Sequence, residues 1–136
     1  MQLPMCRFFL KCVAAYDIKP LKSLYDINKC NVLTEKFSIP KRTDYIITNP
    51  PWTRTLLHEM IVLFSDLLPT WLLFDADWMH TVQSSPFKDR LVKVVSVGRL
   101  IWIPGTTMTG KESCCWYLFD KPKRGRIAKF YGRETA

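Results

Sequence analysis

"TDYIITNPPWTR", residues 43–54, runs from a strand into a turn of unusual stiffness. Tyr45, Ile46, Ile47 and Thr48 are strand formers, preceded by the polar, proline-containing KFSIPKRT (36–43) and followed by two consecutive prolines. A proline inside a buried strand would remove a ladder donor, so the strand 44–49 has to end at Asn49. Pro50 holds Asn49 extended and Pro51 does the same to Pro50. Neither brings an N–H. The turn therefore presents two acceptors, the Asn49 side-chain oxygen and the Pro50 carbonyl, with no competing donor, and Trp52 follows as a flat surface. Two acceptors converging on one amino group suit an exocyclic or amide nitrogen. Bonding both hydrogens draws the lone pair out of conjugation, while the ring stacks on a base swung out of its duplex.

Outward from this turn the chain alternates strands and helices. From Thr53 to Leu68 the apolar residues Leu56, Leu57, Met60, Ile61, Phe64, Leu67 and Leu68 recur at steps of three and four, which predicts an amphipathic helix stopped by Pro69. TWLLFDA (70–76) is a continuous apolar run, as a buried parallel strand requires. SSPFKDRL (84–91) predicts a short helix with a serine cap and Pro86 in its first turn. KVVSVGRLIWI (93–103) and SCCWYLFD (113–120) read as a hairpin with a long glycine-containing tip, and RIAKFYG (126–132) as a last strand. On the N-terminal side, MCRFFLKC (5–12) reads as a short amphipathic helix and VAAYDI (13–18) as a strand ending in an acid. LKSLYDINKCNVL (21–33) reads as a short helix and then a strand at 30–33. No repeat or long linker divides the chain, so residues 1–136 are expected to form a single α/β domain. That domain is expected to be a Rossmann-like three-layer sandwich, its sheet mostly parallel with a C-terminal antiparallel hairpin.

Composition narrows the function classes. A hydrophobic content of 48% over 136 residues supports a packed core. The formal charge of +8 favours a polyanionic partner, most commonly nucleic acid. Five cysteines, none in a C-x-x-C pair or near a histidine cluster, give neither a disulfide framework nor a zinc site. A reduced, cytoplasmic chain with no membrane span is expected, since the apolar start is short and broken by charge.

The stretch Asn49-Pro50-Pro51-Trp52 resembles the fourth motif of S-adenosylmethionine-dependent amino-methyltransferases, (Asn/Asp/Ser)-Pro-Pro-(Tyr/Phe/Trp). These are chiefly the N6-adenine DNA enzymes and, with Asn-Pro-Pro-Tyr, protein glutamine enzymes. The later run from Pro69 to Asp120 is similar to phage and prophage members, so the resemblance spans roughly residues 13–120. It implies methyl transfer from S-adenosylmethionine to adenine N6 in DNA, single-stranded or flipped out. Asn49, Pro50, Pro51 and Trp52 would then be the catalytic motif. It also implies that Asp17, with Ile18, binds the ribose of the cofactor, that Asn31 and Val32 meet its adenine, and that Asp77 and Trp78 of DADW line the target pocket.

The family's glycine-rich turn before the first acid has no counterpart here, because none of the sixteen residues before Asp17 is glycine. The chain is therefore read as N-terminally truncated, as a degenerate relative, or as half of a site completed by a second copy in a homo-oligomer. The family's central strand would be lacking, so its neighbours either pair directly or leave an open edge. The alternative functions are a nucleic-acid-binding relic and a protein glutamine N-methyltransferase. Among other residues, Asp75, Asp77 and His80 invite a metal or acid/base role but read more simply as a polar strand end. Lys111 in TGKES is expected to touch phosphate from the hairpin tip. The tail KPKRGRIAKFYGR, with Arg124, could track a nucleic-acid backbone. Cys114 and Cys115 are expected in the core, and His58 without a functional role.

Overall fold

A computed structural model describes residues 10–133, which fall into two units, one ending at Thr43 and the other beginning at Asp44. In the first unit, β1 (Ala15–Asp17) pairs in parallel with β2 (Ile27–Lys29). The strand read at 30–33 thus lies earlier, and no helix precedes it among the described residues. Asn31 accounts for the shift. Its side-chain oxygen accepts the Leu33 N–H and its carbonyl the Thr34 and Glu35 N–H groups, so a turn starts where a strand was expected. The helix read over 5–12 lies largely outside the described residues, and residues 10–12 are not helical.

The second unit carries a five-stranded sheet in the order β3-β4-β6-β5-β7. Its members are β3 (Ile46–Thr48), β4 (Thr70–Asp75), β5 (Leu91–Arg99), β6 (Ser113–Phe119) and β7 (Lys129–Tyr131), with the single α-helix of the described residues, α1 (Arg54–Leu67), between β3 and β4. β3 and β4 are parallel, as are β5 and β7, whereas β6 runs antiparallel to both β4 and β5. The architecture is α/β with a mixed sheet, which corrects the expectation of a mostly parallel one. The reason is local. The hairpin's second strand enters between β4 and β5, so the only parallel pairs are those joined by longer connections. β3 lies at the end of this sheet.

The α1 boundaries agree with the apolar periodicity, and Leu57, Ile61 and Phe64 are its buried stripe. Pro69 stops the helix, after Leu68 donates back to the Phe64 carbonyl. Across the sheet, Phe74 of β4 stacks on Tyr117 of β6 at 4.1 Å, and Phe119 continues the row. The second predicted helix is not an α-helix. Two 3-10 segments, Ala76–His80 and Val82–Phe87, replace it. The Ser84 hydroxyl donates back to the Met79 and Thr81 carbonyls instead of capping a new helix, and Pro86 cannot extend an α-helical ladder. The expected layer of α-helix on that segment is thus absent.

Candidate functional site at the end of β3

Strand β3 stops at Thr48, opposite Leu72 of β4, and Asn49-Pro50-Pro51-Trp52 carries the chain from the strand's carboxyl end into α1. This is where open α/β sheets place their ligands. Asn49 is exposed, whereas Pro50 is buried. The Trp52 indole N–H is shared between the Asn49 side-chain oxygen at 3.2 Å and the Leu73 carbonyl at 3.3 Å. Leu73 is the first residue past the last β3–β4 pair, so its carbonyl is available to the incoming turn.

The hairpin tip between β5 and β6 returns to this motif. Trp102 meets Trp52 edge to face, with ring centroids 6.0 Å apart. Gly110 makes that approach feasible, because a Cβ there would lie 2.7 Å from the Trp102 ring nitrogen. Its own N–H closes the loop on the Leu100 carbonyl at 2.8 Å. Trp52, Trp102, Gly110, Lys111 and Glu112 together line a cleft of about 300 Å³. Two sequence-predicted residues from distant parts of the chain, Trp52 and Lys111, thus share one cleft. Trp102 and Glu112 complete it and were not singled out from sequence. An aromatic ring among apolar and glycine residues in a long hairpin tip was the available signal.

Below the motif, Arg54 makes a bidentate ion pair with Asp75, at 2.8 and 3.1 Å. The Asp75 hydrogen bond, which outweighs the opposing effect of burial, raises the Arg54 pKa. Asp75 is therefore a structural partner that ties α1 to the end of β4. Asp77 and His80 are exposed, and no group of three or more potential metal ligands occurs among the described residues.

Trp78 does not line a target pocket. It is 1% exposed, wedged 5.3 Å from Phe74 and 5.4 Å from Tyr117, and donates its ring N–H to His58 Nε2 at 3.0 Å. A large apolar ring after an apolar strand belongs to the core here, and neither Trp78 nor Asp77 is among the residues lining the Trp52 cleft. His58, set aside from the sequence, is the acceptor that satisfies this buried donor. Burial, followed by the Arg54 charge, lowers its pKa. Cys114 and Cys115 are buried, as expected. Burial above all pushes the Cys114 thiol up to about 11, which makes it a poor nucleophile at neutral pH.

The residues expected at the cofactor lie in the first unit. Asp17 ends β1, Ile18 follows it, and both are exposed, while Asn31 and Val32 follow β2 and are half-buried. The Cys30 N–H donates to the Asp17 carbonyl at 3.0 Å, so the two strand ends lie side by side. The Asp17 carboxylate accepts the Lys19 N–H through Oδ1 at 2.6 Å. An exposed carboxylate at a strand's carboxyl end fits ribose hydroxyls. The Asn31 amide oxygen holds the Leu33 N–H with one lone pair, which leaves the other for a ligand. No glycine precedes Gly98 in the sequence, so residues 1–97 contain no glycine turn to match the amino-acid end of the cofactor.

Arg124 stands apart from the cleft, in a turn where the Arg126 N–H bonds the Lys123 carbonyl and Gly125 takes φ 73°. This turn needs a residue tolerant of positive φ at its third position, which glycine supplies. The segment is anchored as well: Lys123 and Asp120 donate their N–H groups to the Asp89 and Arg90 carbonyls. No helix among the described residues is long and apolar enough to cross a membrane. Compared with protein-family models, curated proteins and solved structures, the chain matches none of them.

Proposed function

We propose that the chain is an S-adenosylmethionine-dependent methyltransferase of Rossmann-like type, acting on the N6 amine of adenine in DNA. The observation that carries the reading is the placing of Asn49 and Trp52 at the carboxyl end of β3, beside a cleft walled by a second tryptophan and Lys111. The parallel β3-α1-β4 unit and the end position of β3 also support it, since a family strand lacking its usual central neighbour would leave that edge open. In this reading the Asn49 side-chain oxygen and the Pro50 carbonyl accept the two hydrogens of the amine. Its lone pair is then directed out of the ring plane, and the aromatic cleft holds the base. When bound, the cofactor would supply an electrophilic methyl group. The amine would keep both hydrogens on Asn49 and Pro50 until it carries the methyl and would then give one proton to solvent, so no strong base is needed.

Calorimetric titration with S-adenosylmethionine, followed by a labelled-methyl assay on adenine-containing DNA, tests this directly. Binding near micromolar, roughly −8 kcal/mol, with label in N6-methyladenine is the expected result. Absence of binding at millimolar cofactor refutes the enzyme. A second reading, a nucleic-acid-binding module without cofactor, is favoured by the lack of any glycine before Gly98. Oligonucleotide binding without cofactor binding would select it.

A further inference from the structure

The hydrogen bond from the Trp52 ring to Asn49 carries a consequence for specificity. An indole nitrogen only donates, so the group it meets at 3.2 Å has to be the Asn49 oxygen and never the Asn49 amino group. An asparagine side chain otherwise has two orientations of similar shape, one offering an acceptor and one a donor. The second arm of the shared bond, to the Leu73 carbonyl at 3.3 Å, ties the indole to β4. The Trp102 ring, seated against Gly110, abuts it from the hairpin tip. The ring is therefore held by three elements, and the amide orientation follows from it. A carbonyl oxygen has two lone pairs, and the indole takes one.

We infer that the Trp52 indole N–H locks the Asn49 amide with its oxygen turned to the Trp52 ring edge, beside the aromatic cleft, so that the site accepts a ring bearing an amino group and rejects one bearing a keto group at the same position. Phenylalanine or tyrosine at position 52 would stack without supplying this lock. Trp52 is a positioning and specificity residue in addition to its stacking role. The inference rests on the proposed base-binding role of the cleft, and its test separates the two.

The probes are two single-stranded oligonucleotides, identical except for one adenine or hypoxanthine, titrated onto the full chain. Wild type is expected to prefer adenine by about tenfold, the scale of one well-made base contact. Trp52→Phe is expected to lower that preference by about threefold, since the freed amide can turn its amino group to the keto oxygen while the Pro50 carbonyl still favours the amine. Adding Asn49→Asp to Trp52→Phe is expected to restore the adenine preference, because an ionised carboxylate offers acceptors only. An undiminished preference in Trp52→Phe, or one not restored in the double variant, overturns the lock. Hydrogen exchange of the Trp52 indole N–H is measured alongside, its resonance assigned by its loss in Trp52→Phe. Exchange slowed in wild type and accelerated in Asn49→Ala supports the lock. Unprotected exchange overturns it. If wild type binds neither oligonucleotide, the base-binding reading falls and the exchange result alone decides the lock.

Discussion

Replacing Asn49 with alanine removes one of two acceptors at the end of β3 and leaves the backbone turn to its two prolines. Asn49 is exposed, so the fold is expected to survive with an unchanged melting temperature and circular dichroism. Methyl transfer is expected to fall by about 10² or more, as for loss of a preorganised polar contact to the reacting group. Activity within a few-fold of wild type would remove Asn49 from the chemistry. Arg54 has a structural part instead. Arg54→Met would strand the Asp75 carboxylate, only 8% exposed, without its bidentate partner. A loss of about 1–3 kcal/mol in urea unfolding is expected, and no change would show the pair to be energetically idle. His58 gives a pH signature. Its pKa is lowered in the folded state from the ordinary 6.5, so folding favours the neutral ring. The stability it permits is complete above 6.5 and is lost as pH falls through the lowered folded value. Protonation of Nε2 would also break the bond from Trp78. His58→Gln keeps an acceptor that does not titrate. Wild type is expected to lose stability relative to it between pH 7.5 and 5.5, and parallel pH curves would contradict this assignment.

Elements differ in how far local sequence specifies them. β3, α1 and β4 were legible because each is bounded by proline and filled with one periodicity, period two or continuous in the strands and 3.6 in the helix. The hairpin was legible from two apolar runs about a glycine loop. What was not legible depends on partners far along the chain. The antiparallel insertion of β6 between β4 and β5 is set by pairing across 14 to 49 residues, such as Leu73 with Trp116. The Arg54–Asp75 pair and the Trp52–Trp102 contact are equally nonlocal. Trp78 is the instructive failure. Its neighbours in DADW are polar, which suggested a rim, yet the 3-10 turn folds its ring back onto Phe74, Tyr117 and Phe119. A core role predicts that Trp78→Ala costs about 3–5 kcal/mol in denaturant unfolding. A loss confined to oligonucleotide binding, with stability intact, would return Trp78 to the ligand site.

At the scale of the whole molecule, the +8 charge is the feature that the proposed function has to use. Lys121, Lys123, Arg124, Arg126, Lys129 and Arg133 follow β6 within thirteen residues of sequence. The structure makes this stretch a fixed feature, pinned to residues 89 and 90 and closed by β7 pairing with β5. Arg126 has a structural use, since its guanidinium donates to the Arg90 carbonyl at 3.2 Å. Lys121, Lys123 and Arg124 are exposed, and their side chains remain for an anion. Each phosphate neutralised releases condensed counterions, so log K falls with log salt by about 0.9 per contact on duplex DNA and about 0.7 on single strands. Changing Lys121, Lys123 and Arg124 together to glutamine is therefore expected to flatten that slope by about 2–3, while the ratio of adenine to hypoxanthine binding set at the cleft stays as it was. Fluorescence anisotropy across a salt series measures both quantities on the same samples. A slope that does not change would place the DNA backbone elsewhere on the surface. A slope and a base preference that fall together would mean that the stretch acts on the cleft instead of forming a separate electrostatic contact.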